Sequence, residues 1–260
     1  MQDQEKSLIA FFESYVDSFT GLTPDQQNNF TIKKKHSLRV TDNARELANY
    51  LELDDEDKKV AFTAAIFHDI GRFKQLVDFN TFNDEVSADH AEFAVEILKE
   101  KGVLKNWNEE LQHLVFVAIQ LHNKLSIPKK ITERELLHAK LLRDADKLDI
   151  LKVLTDYYTD KNKPPNHTLT WELPTATKVS PRVAKEVLAG KLVSKSEVKS
   201  ELDVKIMQLS WVYDINFKPS FEILFSNRFL EKIYSTLPKN DGIFDIYRKI
   251  KVFAENKLMK

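Results

Sequence analysis

The sequence has no cysteine and only five glycines in 260 residues. Without cysteine there are no disulfides, thiolate zinc sites, iron–sulfur clusters or thiol nucleophiles, so any metal must sit on histidine and carboxylate. The glycines stand at 21, 71, 102, 190 and 242. That spacing cannot write the GxGxxG turn of dinucleotide-binding folds, the GxxxxGK phosphate loop or the GxSxG nucleophile elbow. An excess of one charge is also missing. With 39 Lys and Arg against 40 Asp and Glu, there is no basic field to hold a nucleic-acid polymer. The longest basic run, Lys33 to Lys35, is short and fits a solvated helix start. No stretch approaches about 18 consecutive apolar residues. The segment MQDQEKSLIAFF carries acids and glutamines where a signal peptide carries a basic region, so a cytoplasmic protein without a membrane span is expected.

What the chain does have is apolar residues recurring at three- and four-residue steps, which predicts an all-α fold. Helices are expected over 4–19, 34–52, 56–69, 89–101, 109–123, 133–159, 181–190, 196–213, 219–236 and 241–257. Two longer interruptions stand out, Asp78 to Ala88 and Asp160 to Pro181; the second contains Pro164, Pro165, Pro174 and Pro181. The chain therefore reads as a catalytic-type helical core over 1–160 and a C-terminal helical extension over 161–260 packed on it. In the extension Trp171, Trp211, Tyr213, Phe217, Phe221 and Phe225 read as packing residues. Phe244, Tyr247, Ile250 and Phe253 are expected to share the docking stripe of the last helix.

With seven histidines present, the single doublet His68-Asp69 is within what composition alone produces. The helical register says more. Stepping back from Val40, Ala44, Leu47 and Leu51 lands on His36, and Ala61, Ala64 and Ala65 lead on to His68. Ala94, Ile97 and Leu98 share a face with His90; Leu111, Val115 and Ala118 with His122; and Ala139, Leu142, Ile150 and Val153 with Asp146. Five helices thus each aim a metal-competent group at the core. Burying such a group without partners costs roughly 2–7 kcal/mol. Either each is hydrogen-bonded separately, or they converge on one or two divalent cations that accept imidazole nitrogen and carboxylate oxygen together. His113 falls off its helix register, His138 is ambiguous and His167 lies in the proline-rich loop, so none of the three is given a role.

The contexts KHSLRVTDNA, FHDIGRF and RDADKLD, which carry His36, His68-Asp69 and Asp146, resemble the HD superfamily of metal-dependent phosphohydrolases over about residues 30–155. The resemblance implies an HD-type helical core with His36, His68, Asp69 and Asp146 as ligands of a divalent ion (Mn, Mg, Co, Fe or Ni). The segments SADHAEFAVEIL and AIQLHNK are similar to those that bring two further histidines in binuclear members, which implies His90 and His122 as ligands of a second ion, bridged by Asp69. Two departures limit this. The chain has His122-Asn123 in place of a His-His pair and no Gly-Tyr-Pro segment, which points away from cyclic dinucleotide cleavage. Mononuclear relatives use similarly placed histidines on phosphate, so one or two ions per chain are expected.

The activity this implies is hydrolysis of a phosphate ester or phosphoanhydride, with a nucleotide-like small molecule as substrate. A divalent ion lowers the pKa of water to about 7 and polarises a phosphoryl oxygen. Asp69 and Arg72 are expected in the catalytic set, with Arg39 and Arg72 binding phosphate through their planar forks. The helix carrying His68 is expected to end near Gly71, left-handed, so that Arg72 swings toward the phosphoryl group. Asp42, Asp144 and Glu92 are candidate orienters of ligand imidazoles, and Lys147 either offsets local negative charge or is solvated. Two other classes remain: a di-iron oxygenase on the same scaffold, and a regulatory module that binds metal without turnover. Oligomeric state is not legible.

Overall fold

The structure is a computed structural model that describes residues 2–160, 162, 171 and 173–259. His167, Pro164 and Pro165 lie outside the described residues. Among the described residues there are helices and no strands, the all-α architecture expected. The chain forms two compact units, Met1–Asp146 and Lys147–Lys260. Their division falls within one continuous helix, upstream of the proline-rich stretch at which the sequence suggested a boundary.

The first unit is built from α1 (Gln2–Asp17), α2 (Pro24–Tyr50), α3 (Asp55–Phe67), α4 (Ile70–Phe79), α5 (His90–Glu100), α6 (Glu109–His122) and the first half of α7 (Glu133–Thr159). Helix α2 packs on α3, α3 on α6, and α5 on both α4 and α6. Helix α2 starts at Pro24 rather than at 34, because Thr23 and Gln26 form a reciprocal capping box with proline at the first helical position. The signal was the segment TPDQ, outside the apolar register. Asp54, Asp89 and Asn108 cap α3, α5 and α6 by accepting from backbone amides of the first turn, at 2.8, 2.9 and 2.8 Å.

Helix α4 was not expected, and its presence corrects the reading of Gly71. That residue lies inside the helix and is not left-handed. It is needed for close approach instead: a Cβ there would lie 2.8 Å from Ala94 N, and nearer still to the His90 carbonyl oxygen of α5. The helix ends instead at Asn80, which takes the left-handed conformation (φ 52°) and donates its amide to Leu76. Phe73 anchors α4 edge-to-face against Phe12 and Phe30, with centroids 5.9 and 4.9 Å away.

The second unit takes the rest of α7 with α8 (Pro181–Leu188), α9 (Glu201–Ser210), α10 (Lys218–Ser226), α11 (Phe229–Ser235) and α12 (Asp241–Leu258). Three expectations are corrected here. The helix expected over 196–213 is shorter, because Val198 is extended and Ser200 caps α9. The helix expected over 219–236 is broken where Arg228 adopts φ 55°, giving α10 and α11. The buried stripe of α12 is Ile243, Ile246, Ile250 and Ala254, while Phe244 is half exposed, with the Arg248 guanidinium over its ring. Phe221 is fully buried, and Trp171, Trp211, Tyr213 and Phe225 pack around the same apolar cluster. Lys147 is neither solvated nor part of the histidine cluster, since its Nζ pairs with Asp214 at 2.6 Å inside this unit.

Candidate metal centre

Within the first unit, His36 comes from α2, His68 and Asp69 from the joint between α3 and α4, His90 from the first position of α5, His122 from the last position of α6, and Asp146 from α7. All four imidazoles are buried. They form two pairs. His36 Nε2 lies 3.3 Å from His68 Nε2 and 3.1 Å from Asp146 Oδ1. His90 Nε2 lies 3.1 Å from His122 Nε2. Asp69 stands between the pairs, with Oδ2 at 3.6 Å from both His36 and His68, and Oδ1 at 3.4 Å from His90 and 3.9 Å from His122. His36, His68 and Asp146 can hold one ion, and so can His68, Asp69 and His122.

For three of the four rings, His68, His122 and His90, the far side fixes the tautomer. His68 Nδ1 meets the Ala65 carbonyl at 2.7 Å, and His122 Nδ1 meets the Ile119 carbonyl at 2.6 Å. His90 Nδ1 meets Asp84 Oδ2 at 2.8 Å. A carbonyl or carboxylate only accepts, so each Nδ1 carries the proton and each Nε2 presents a lone pair. Two bare lone pairs facing each other at 3.1 Å, as His90 and His122 do, repel unless a cation draws on both. This donor set fits a divalent ion.

The electrostatics agree. Burial, with the nearby Arg72 charge adding to it, pushes the His90 imidazole down to about 4. Burial also lowers His68, and takes His122 well below its ordinary value. Burial works to raise Asp69 and Asp146 but is outweighed: by the Lys33 charge and then His68 at Asp69, and by the His36 hydrogen bond at Asp146. Asp69 falls well below the usual carboxylate range. Neutral imidazole beside ionised carboxylate is the protonation state that ligation requires.

Two of the expected orienters, Asp42 and Glu92, are elsewhere. Asp42 is exposed and pairs with Arg45 at 2.9 Å, and Glu92 is exposed and accepts from Gln120 at 2.7 Å. Asp144 is fully buried. The groups that orient the imidazoles of His68, His122 and His90 are two helix carbonyls and Asp84. Helix carbonyls leave no trace in side-chain type, and Asp84 lies in a loop without periodicity. Arg39 sits half-buried on α2, three residues after His36. Arg72 is held by the loop after α4: its Nη1 donates to Phe82 O, Gln75 Oε1 and Asp84 Oδ1 at 2.6, 2.9 and 2.9 Å, while Nε lies 3.4 Å from Asp69 Oδ1. Lys33, read as solvated, donates from Nζ to Asp69 Oδ2 at 2.7 Å. Its position three residues before His36, hence on the same helix face, was the available signal. Arg143, fully buried, braces the end of α6 by donating to the Leu121 and Lys124 carbonyls at 2.6 and 2.7 Å. His113 and His138 stay outside the cluster, on Glu135 and Asp57 at 2.7 and 2.9 Å.

Residues 34–151 match the family model described as HD domain. The chain contains an HD domain. The match spans all six candidate ligands, and HD domains typically bind divalent metal ions and are in general metal-dependent phosphohydrolases. No curated protein and no solved structure matches the chain. Among the described residues, no helix is long and apolar enough to cross a membrane.

Proposed function

We propose that this HD domain hydrolyses a phosphate ester or phosphoanhydride of a small, nucleotide-like molecule in the cytoplasm, with His36, His68, Asp69, His90, His122 and Asp146 holding one or two divalent ions. The observation that carries the reading is the pair of acceptor-only nitrogens on His90 and His122, 3.1 Å apart beside an oxygen of Asp69 whose other oxygen faces His36 and His68. A bound divalent ion supplies water of lowered pKa and polarises a phosphoryl oxygen.

The rest is done by the chain's own groups. The Lys33 ammonium lies beside Asp69 and is partly exposed, so it can meet phosphoryl oxygens and offset their charge. Arg39, one turn beyond His36, serves the same anion. Arg72 holds the loop through Nη1, which donates to Phe82, Gln75 and Asp84, and is kept with Arg39 as an expected phosphate-binding residue through the rest of its fork. The Phe82 ring lies 5.7 Å from Lys33 Nζ and 5.8 Å from the Arg72 guanidinium carbon. A flat apolar face beside the phosphate-binding cation suits a substrate whose phosphate is attached to a nucleobase-bearing group.

The test is metal analysis of purified protein with a screen of phosphorylated metabolites under Mn²⁺, Mg²⁺, Co²⁺, Fe²⁺ and Ni²⁺. Asp69→Ala should lose metal and turnover with its helical circular dichroism unchanged. Stoichiometric metal in Asp69→Ala would sink the assignment. The same six donors also suit a di-iron oxygenase, which two irons per chain and oxygen uptake would reveal. Metal binding without turnover would leave a regulatory module.

A further inference from the structure

Three helices converge on Asp84, in the loop between α4 and α5. From α4, Arg72 Nη1 and Gln75 Nε2 donate to its Oδ1 at 2.9 and 2.8 Å. From α5 and the end of α6, His90 Nδ1 and Asn123 Nδ2 donate to its Oδ2 at 2.8 and 3.4 Å. Gln75, itself fully buried, is locked in orientation. Its Nε2 also donates to Ser87 Oγ and Ala88 O at 2.8 and 2.9 Å, and its Oε1 accepts from Arg72 Nη1. The two oxygens of Asp84 therefore have separate tasks, one tying down the loop and the other facing an imidazole.

We infer that Asp84 is a positioning residue which fixes the tautomer of His90, and that Arg72 and Gln75 determine which atom of residue 84 the imidazole meets. With a carboxylate at 84, Nδ1 of His90 has to be the donor, so the lone pair is on Nε2, the atom that faces Asp69 and His122. The tautomer follows from hydrogen bonding alone. Its consequence for metal rests on the functional reading above.

Asp84→Asn exposes the device because an amide has one accepting and one donating end. Arg72 Nη1 and Gln75 Nε2 only donate, so the amide oxygen must face them and the NH₂ must face His90. A compensating flip of Gln75 is blocked, since it would set the Gln75 oxygen against Ala88 O and its NH₂ against Arg72. Nδ1 of His90 would then have to accept, its proton would move to Nε2, and the ligand atom would be blocked. Outer partners of this kind are generally worth about 10–100-fold in metal affinity.

The experiment is long-range ¹H–¹⁵N spectroscopy of histidine-labelled full chain in chelator at neutral pH, followed by Mn²⁺ titration calorimetry. Wild type should show His90 protonated on Nδ1, Asp84→Asn protonated on Nε2, and Asp84→Ala, with no partner to choose, a mixture. Asp89→Asn is the control for general loosening, because Asp89 holds Ala91 N, Asn123 and Lys124 and should leave the His90 pattern alone. Mn²⁺ should bind Asp84→Asn about 10–100-fold more weakly. If His90 stays Nδ1-protonated in Asp84→Asn, the inference is overturned. If it flips with Mn²⁺ affinity unchanged, the link to the metal centre is overturned. Wild-type protein that shows the tautomer but binds no divalent ion would overturn the functional reading and uphold the role of Asp84.

Discussion

Substituting Gly71 by alanine tests how the two helices around the site are packed. Alanine is normally favoured over glycine inside a helix by about 1 kcal/mol, so in isolation α4 should gain. The tertiary setting reverses the sign. The added methyl would lie 2.8 Å from Ala94 N and from Phe93 Cβ, and closer to the His90 carbonyl oxygen. Two of these three are backbone atoms of α5 and cannot rotate aside. Ordinary carbon contacts lie at about 3.5–4.0 Å, so α4 and α5 must part by on the order of 1 Å. Overpacking of this kind costs about 1–3 kcal/mol and occasionally more. With a rigid backbone as the obstacle, the upper part of that range applies, leaving a net loss of about 2 kcal/mol after the helical gain. Urea unfolding followed by circular dichroism would measure it. Gly242→Ala is the control, since there the nearest atom is the side-chain oxygen of Asn240 at an ordinary 3.6 Å, and it should be neutral or stabilising. Equal or greater stability for Gly71→Ala would refute the close-approach argument.

Other consequences follow from single contacts. Thr23→Ala removes the capping box that starts α2 and should cost about 1 kcal/mol in urea unfolding, with Thr23→Ser near wild type. Buried His138, whose imidazole is lowered chiefly by desolvation, resists protonation in the folded chain. Its contribution to stability is therefore full above its unfolded pKa of about 6.5 and is lost as pH falls toward the lower folded value. Melting temperatures of wild type and His138→Gln, taken in chelator from pH 7.5 to 5.5, should show the smaller decline in the variant; parallel declines would contradict this.

The helical class and five of the site-bearing helices were legible because burial forces apolar residues into a 3.6-residue period, and a polar residue on that period is conspicuous. That logic put His36, His68, His90, His122 and Asp146 each on the core side of its helix without any loop geometry. It failed where structure is set by something other than period. Helix α4 carries Ile70, Phe73 and Leu76 on one face, yet Gly71 read as a stop signal because close approach and helix termination both call for glycine. Helix α2 began early through a capping box, which is local chemistry. Lys33 was passed over because it belongs to a basic run, although the helix that presents His36 carries it to Asp69.

The doublet itself shows how function departs from the local rules. Asp69 occupies the cap position of α4 with φ −105° and ψ 10°, and aspartate is among the best residues for that position. Its carboxylate nevertheless makes no cap hydrogen bond, forgoing a contribution of about 1 kcal/mol to the helix. The carboxylate is turned instead among His36, His68, His90 and Lys33, where burial alone would favour its protonation and the surrounding charge keeps it ionised. A stability-driven sequence would let this residue cap. The break between α3 and α4 thus allows the buried His68 at the end of one helix and Asp69 at the start of the next to face one another's neighbours, which an uninterrupted helix would send to diverging directions about 100° apart.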